Sequence, residues 1–462
     1  MREGKTAGRG RSLLELHPSQ LLAALFVTFI GVGTILLKLP VATHDGITLI
    51  DALFTATSAA CVTGLMVVDV GTTFTLFGQI VILALIQIGG LGIMTFGVFF
   101  TLLLGRALSL RESSMVFDAF DASHQLSVTE LLAKVIQLTL AIEAIGGTIL
   151  FLRWIPDFGA EKAAYHALFH AVSAFCNAGI SLFPDNLVSF VDDPVVNGVI
   201  GALIVCGSLG FITIVELYYY GLGKRIGRRR LLRLSLQSRV VLAYTLLIGL
   251  VGALLTFAIE RDNVLAGMPF DRQVMAALFQ SITRTAGFVT VDFHSFTNGT
   301  LFVFILLMFI GAAPGSVGGG IKVTTFGVLM AMAAARYQAR EVPSLFNRTV
   351  PREVIDRSVA ILFISSLIVV GFTLALMIAE SGAATAPNHR EMFMQIMFEV
   401  VSAFGTVGLS AGATDDLTPV GKALITLLML IGRLGPLTVT FAVGKKAPRG
   451  EYRYAEESMM VG

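Results

Sequence analysis

Four short segments of this chain end on turns of the same kind. They read ALFTATSAACVTGL from Ala52, ALFHAVSAFCNAGI from Ala167, ALFQSITRTAGF from Ala277 and IMFEVVSAFGTVGL from Ile396. Each carries a phenylalanine (Phe54, Phe169, Phe279, Phe398) and closes on a glycine (Gly64, Gly179, Gly287, Gly408). The two lie 10 residues apart in three segments and 8 apart in the third. The turns themselves are Cys61-Val62-Thr63-Gly64, Cys176-Asn177-Ala178-Gly179, Arg284-Thr285-Ala286-Gly287 and Gly405-Thr406-Val407-Gly408, and none contains Asp or Glu. The chemistry open to them is therefore that of backbone carbonyls. A carboxylate ring would suit a divalent ion, whereas carbonyl dipoles suit a monovalent cation stripped of its water. Glycine allows the backbone angles that a carbonyl ladder needs. A short helix ending at each turn aims the negative end of its dipole, roughly half a charge, at the same point.

Such turns select an ion only if a scaffold holds all four around one axis. The composition says what kind of scaffold. Of 462 residues, 55% are hydrophobic and 14% charged, against roughly 25% charged in soluble domains, and the mean hydropathy is +0.81. That excludes a cytosolic enzyme, a disordered chain and a secreted disulfide scaffold, and indicates a polytopic membrane protein. A net charge of +2 offers nucleic acid no bulk attraction. Cys61, Cys176 and Cys206 lack the spacing of a zinc site.

Apolar runs come in pairs: 21–39 with 74–104, 131–152 with 195–222, 240–259 with 300–335, and 358–379 with 420–443. Each approaches the ~20 residues that cross a bilayer. The glycine-bearing segment between the members is too short to cross and reads as re-entrant. The closing glycines recur 115, 108 and 121 residues apart. A second echo follows each: GLGIMT at Gly90, SLGFIT at Ser208, GGIKVTT at Gly319 and RLGPLT at Arg433. The expectation is an all-α polytopic membrane protein of four tandem repeats, each a spanning helix, a re-entrant pore helix and a spanning helix. Eight spanning helices and four pore helices would then surround a central pore. The repeats cover 20–105, 106–222, 223–336 and 337–444, between an N-terminal segment, 1–19, and a C-terminal tail, 445–462. The run at 21–39 is too long for a signal peptide and reads as the first span.

Basic residues gather between repeats. Lys224, Arg225, Arg228, Arg229, Arg230, Arg233 and Arg239 follow the second pair; Arg336, Arg340, Arg348, Arg352 and Arg357 follow the third; Lys445, Lys446, Arg449 and Arg453 follow the fourth. The positive-inside rule puts these, with both termini, in the cytoplasm, so the turns open from outside. The same charge can contact anionic lipid heads.

The third repeat departs from the others. Its second apolar run is interrupted by Gly311-Ala312-Ala313-Pro314-Gly315-Ser316-Val317-Gly318-Gly319-Gly320. A helix there would lose about 1 kcal/mol per Gly and about 3 for Pro relative to Ala. The segment reads as a loop inside the membrane beneath the turns, placed to gate them. Lys322 follows it, and Arg433 lies midway along the last apolar run. Intramembrane charge faces water or a partner, so Arg433 either lines the path below the turns or anchors the loop carbonyls; Lys322 snorkels or pairs. Arg284 sits within the shortened third turn. A bare guanidinium in an ion path would repel the ion, which favours an arginine pointing behind the turn to hold its carbonyls.

Other signals are weaker. Gly315 to Lys322 lacks the Gly-Lys-[Ser/Thr] of a phosphate loop. His166 and His170 share a helix face without a third metal ligand and read as packing or rim residues of the second short helix. No acidic residue at the turns supports a proton- or sodium-coupled carrier with a midplane site, and no nucleophile, base and acid group together as in a membrane enzyme.

At these residues the chain resembles the potassium transporters of the Trk/Ktr/HKT superfamily, over nearly its whole length from about residue 20. Thr406-Val407-Gly408 is similar to the start of the potassium-channel filter TVGYG; the other turns keep little beyond the glycine. Eight spans without an additional N-terminal pair, and the ending from Arg453 to Gly462, look like the bacterial Ktr-type membrane subunit. The resemblance implies potassium uptake through a homodimer in the cell membrane. It also implies control by a cytosolic RCK-type ring, with the nucleotide on that partner and no organic cofactor in this chain. Sodium coupling is common among Ktr-type systems, and no local motif here establishes it.

Overall fold

The computed structural model describes residues 18–103, 128–226, 234–380 and 389–435. The basic positions Arg228, Arg229, Arg230 and Arg233, the N-terminal segment up to residue 17 and the tail 445–462 lie outside them. The described chain is helical apart from one small hairpin. Its helices are α1 (Pro18–Lys38), α2 (Leu49–Ala60), α3 (Val70–Thr73), α4 (Leu76–Leu103), α5 (Val128–Phe158), α6 (Ala160–Phe175), α7 (Pro194–Ser208), α8 (Phe211–Ile226), α9 (Leu236–Glu260) and α10 (Phe270–Ile282). They continue with α11 (Asn298–Phe309), α12 (Val323–Tyr337), α13 (Arg352–Glu380), α14 (His389–Gly405) and α15 (Pro419–Leu434). The hairpin pairs β1 (Ser344–Leu345) with β2 (Arg348–Thr349).

Among the described residues, three helical stretches are long and apolar enough to cross a membrane alone: Leu132–Phe158, Leu236–Glu260 and Arg352–Glu380. A fourth crossing is available if α7 and α8 are taken as one broken span. The run at 195–222, expected as a single crossing, bends there by 106°. The break falls at Gly210, whose φ of +79° lies in the left-handed region and whose Cα faces the Pro314 carbonyl. A Cβ at that point would meet the carbonyl oxygen at 2.6 Å, so only glycine turns the corner. The run at 300–335 is interrupted, as its composition predicts: α11 stops at Phe309 and α12 starts at Val323.

Polar residues tie the ends of long helices to the caps of their neighbours. Glu260, ending α9, accepts from the N–H (3.0 Å) and Oγ1 (2.7 Å) of Thr297, the N-cap of α11. Glu380, ending α13, accepts from the N–H (3.2 Å) and Oγ1 (2.8 Å) of Thr418, the N-cap of α15. Arg153 of α5 pairs at 2.6 Å with Asp193, the N-cap of α7. Lys422 of α15 pairs at 2.7 Å with Asp51 of α2, joining the end of the described chain to its beginning.

The short helices α2, α6, α10 and α14 carry Phe54, Phe169, Phe279 and Phe398 into one continuous core, each no more than 2% exposed. The shared phenylalanine is thus a packing residue. The glycine just before the first, second and fourth of the second echoes has a repeated job. Gly89 packs on the Ala60 carbonyl, Gly207 on that of Phe175 and Gly432 on that of Phe404. Those carbonyls belong to the residues immediately before the first, second and fourth turns.

A Gly432→Ala change drives a Cβ into the Phe404 backbone, whereas Gly371 of α13 has open space on its Cβ side. Gly432→Ala should cost about 1–3 kcal/mol and lower the thermal midpoint of the detergent-solubilised protein by several degrees. Gly371→Ala should leave it unchanged or slightly raised. Equal midpoints for the two variants would show that the close approach does not matter.

Candidate ion pathway

Three of the four turns are built the same way. Each short helix ends with a residue in the left-handed region: Val62 (φ +48°) after α2, Asn177 (+54°) after α6 and Thr406 (+47°) after α14. In each, two bonds close the helix end. Val62 N–H donates to the Ala59 carbonyl at 3.1 Å and Thr63 N–H to that of Ser58 at 2.8 Å. Asn177 and Ala178 do the same to Ala174 (3.0 Å) and Ser173 (2.8 Å), and Thr406 and Val407 to Ala403 (3.1 Å) and Ser402 (2.9 Å). This is the Schellman closure, in which glycine or asparagine ordinarily takes the left-handed place. Val62 and Thr406 are β-branched there, a strain on the order of 1–2 kcal/mol that packing must offset. Serine completes two of the turns: Gly64 N–H donates to Ser58 Oγ at 3.0 Å and Gly408 N–H to Ser402 Oγ at 3.1 Å.

The third turn is different, as its missing residues require. Thr283–Thr285 form a single 3₁₀ turn, and Ala286 N–H closes on the Thr283 carbonyl at 2.8 Å. Gly64, Gly179 and Gly408 have φ of +97°, +65° and +93°, but Gly287 does not lie in the left-handed region. The expectation that all four glycines serve one backbone angle is corrected at this position. Gly287 is needed for proximity instead, since a Cβ on it would stand 2.9 Å from the carbonyl of Gly408.

The structure brings all four turns together. Gly64 abuts the Ala178 carbonyl, Gly179 the backbone of Gly287, Gly287 that of Gly408, and Gly408 that of Thr63 and Gly64. The contacts close a ring in chain order. All sixteen turn residues are buried except Gly64 and Gly408, which are half-buried. Among the described residues no donor reaches the backbone carbonyls of Cys61 to Gly64, Cys176 to Gly179, Arg284 to Ala286 or Gly405 to Gly408. The Gly287 carbonyl accepts from Asn186 Nδ2 at 3.2 Å. Buried carbonyls require a partner, and a ring of them can replace the water shell of a cation.

The glycine-rich segment lies against this ring. It returns on itself through Gly311 N–H to the Ile321 carbonyl (2.8 Å) and Ile321 N–H to that of Phe309 (3.2 Å). A Cβ on Gly319 would lie 2.8 Å from the Gly405 carbonyl, and one on Gly318 would lie 3.5 Å from Asn177 Nδ2. The α7–α8 elbow grips the same loop: Ala313 N–H donates to the Ser208 carbonyl and Phe211 N–H to that of Gly315, both at 3.0 Å. Ser316 Oγ donates to the Ala313 carbonyl at 2.6 Å. Ser208 Oγ stands 2.7 Å from the Asn177 side-chain amide and 3.0 Å from Thr285 Oγ1, linking the elbow to the second and third turns. Sequence reasoning missed this elbow. Its signal was the glycine of SLGF, which the periodicity of the apolar run absorbed.

Three cations bond backbone carbonyls in the loop or just before it. Arg433 is 4% exposed and donates to the carbonyls of Val317 in the loop and Gly89 in α4. Lys322 Nζ donates to the Gly318 carbonyl at 2.7 Å. Arg284 points behind its turn, but the carbonyls it holds are not those of the turn. It donates to Leu307 (3.1 Å) and Ile310. Because α11 ends at Phe309, its last carbonyls lack intrahelical donors, and Arg284 supplies one.

Comparison with known proteins bears on this geometry. The sequence profile of a family described as cation transport protein, TrkH, matches residues 16–454. The Ktr system potassium uptake protein B of Bacillus subtilis is 40% identical, over 96% of this chain and 97% of the relative. Its namesake from Vibrio alginolyticus is 38% identical, over 95% and 94%. The potassium/sodium uptake protein NtpJ of Enterococcus hirae is 36% identical, over 97% and 98%. The crystal structure of the potassium transporter TrkH from Vibrio parahaemolyticus shares the fold with a TM-score of 0.71 at 19% identity, over 96% of this chain and 87% of that one. The chain is an all-α membrane transport protein, not an enzyme, and belongs to the Trk/Ktr/HKT superfamily, among its bacterial Ktr-type members.

Proposed function

We propose that this chain is the ion-translocating subunit of a Ktr-type potassium uptake system in the cell membrane, with its termini in the cytoplasm. The observation that carries the reading is the closed ring of turns whose carbonyls, that of Gly287 apart, have no donor among the described residues. A neutral carbonyl ring suits a weakly hydrated monovalent cation, and relatives of this length and identity are named for potassium uptake. In this reading the chain is four repeats of spanning helix, pore helix and spanning helix, eight spans in all, with the boundaries given above. The turns from Cys61, Cys176, Arg284 and Gly405 to their closing glycines form the filter. Sodium belongs to the same test, since one relative is named for potassium and sodium together.

The loop from Gly311 to Gly320, with Lys322 and Arg433, is the gate. It lies against the base of two turns and is held by hydrogen bonds that a shift of the α7–α8 elbow would break one by one. The cytoplasmic basic segments and tail dock a nucleotide-binding regulatory ring of RCK type, on a homodimer of this chain.

Rubidium uptake into liposomes containing the purified chain, competed by potassium and by sodium, tests the filter. Potassium should compete far better than sodium. In Gly64→Ser, Gly179→Ser and Gly408→Ser, a Cβ enters a left-handed position at a cost of about 1–2 kcal/mol, and the preference should drop about tenfold. Unchanged preference in all three would remove the filter assignment. Deleting Ser316 to Gly319 in the same assay removes the Val317 and Gly318 carbonyls that Arg433 and Lys322 hold. Flux should rise and its dependence on the regulatory ring should weaken, with selectivity retained. A deletion variant that assembles normally yet shows wild-type flux and dependence would show that the loop is no gate. For docking, capture of the purified ring should be lost when the tail from Lys445 is removed and Lys224 to Arg233 are neutralised. Undiminished capture would place the docking face elsewhere.

A further inference from the structure

The residue after each shared phenylalanine is polar: Thr55, His170, Gln280 and Glu399. All four are no more than 1% exposed. A polar side chain buried this deeply needs a partner, and three of them find it in the same place, just past the closing glycine. Glu399 accepts from Ser410 Oγ at 2.5 Å, Ala411 N–H at 3.0 Å and Thr414 Oγ1 at 2.6 Å. His170 has Nδ1 at 2.8 Å from the His166 carbonyl, which can only accept, so Nδ1 carries the proton. Its Nε2 is then free to accept, from Leu182 N–H at 3.4 Å, and stands 3.0 Å from Ser181 Oγ. The ring also stacks on Phe183, centroids 4.7 Å apart. Gln280 Nε2 donates to the Val291 carbonyl at 3.3 Å. The partners lie two to four residues beyond Gly179, Gly287 and Gly408, with Thr414 further along.

Thr55 breaks the pattern. Its Oγ1 is buried with no partner among the described residues. The first turn is secured further along and from the other side, where Gln79 Nε2 donates to the Phe74 carbonyl at 2.9 Å and to that of Gly71 at 3.2 Å, and Tyr165 holds the Gln79 oxygen at 2.9 Å.

We propose that Glu399, His170 and Gln280 are positioning residues that set ion selectivity by clamping each turn at both ends, and that Thr55 has no such role. The proposal rests on the filter reading above. A carbonyl ring discriminates against a smaller cation only while its oxygens resist closing upon it. Each turn is four residues between a helix end and an extended exit. A side chain rooted in the helix and bonded to the exit fixes the distance between the two, and so the spread of the carbonyls between them. The clamp in the fourth turn has three bonds to a carboxylate, that in the second contacts to Ser181 Oγ and Leu182 N–H with a stacked ring, and that in the third a single bond. The fourth should therefore contribute most and the third least.

Rubidium uptake by the full chain in liposomes tests this, with KM for potassium, maximal rate and sodium competition measured separately. Glu399→Ala and His170→Ala should lower the preference for potassium over sodium about tenfold and raise KM, because hydrogen bonds to buried charged or polar partners are lost. The maximal rate of correctly assembled protein should stay near wild type. Glu399→Gln keeps an acceptor oxygen in place and should restore most of the preference, as should His170→Gln. Thr55→Ala should match wild type in all three quantities. If Glu399→Ala does not assemble, Glu399→Asp, which withdraws the carboxylate by one methylene, carries the same expectation of lost selectivity. Wild-type selectivity in the Glu399 and His170 variants, or an equal loss in Thr55→Ala, would overturn the proposal alone. A wild-type chain without preference among monovalent cations would overturn the filter reading and this proposal together.

Discussion

The architecture follows from one constraint: a carbonyl buried at membrane depth must have a partner, because no water is there to supply one. Helices satisfy it internally. This chain breaks helices at several depths and must settle the account of each break separately. Where α11 stops at Phe309, Arg284 and the Ile321 N–H supply the donors. Where α7 stops at Ser208, the loop backbone does so. At the four turns every carbonyl but that of Gly287 is left without a donor among the described residues, and there the four turns converge.

Convergence requires that backbones touch, which places glycine at two layers. The closing glycines let neighbouring turns abut each other, and Gly89, Gly207 and Gly432 let the longer helices press on the carbonyls that precede three of the turns. The left-handed residue between these layers is fully buried in each of the three turns. That is how Val62 and Thr406, β-branched residues poorly suited to such an angle, are tolerated. The turn conformation is thus a property of the assembled ring and not of the local sequence.

This explains how far the site was legible beforehand. The four strings, their closing glycines and the helix-breaking loop were readable because glycine and proline act locally and the repeats reinforce one another. The left-handed angles at Val62 and Thr406 were not, since nothing local favours them. Gly287 was assigned the angle of its counterparts; the two missing residues replaced the Schellman closure with a 3₁₀ turn and gave that glycine a purely steric purpose. The bend at Gly210 was hidden in an apolar run of spanning length, because its cause is a contact with Pro314 more than a hundred residues away. Arg284 was read as holding the carbonyls of its own turn; those it bonds, Leu307 and Ile310, depended on where α11 would end.

The charges around the loop complete the physical picture. Among the described residues, no carboxylate lies within ion-pair distance of Arg284, Lys322 or Arg433. Each cation is bonded to backbone carbonyls instead, two of them to consecutive loop residues, Val317 and Gly318. Carbonyl dipoles attract a cation more weakly than a carboxylate would, and they are the same kind of ligand that the ring above offers. On the proposed reading, a permeating cation reaching the loop would meet carbonyls already engaged by fixed positive charge and be repelled by that charge at close range in a medium of low dielectric. A loop tied by dipoles is also easier to release than one locked by buried ion pairs, whose separation would strand two opposite charges. On that reading the arrangement would obstruct without locking, because the loop and the ion draw on one chemistry.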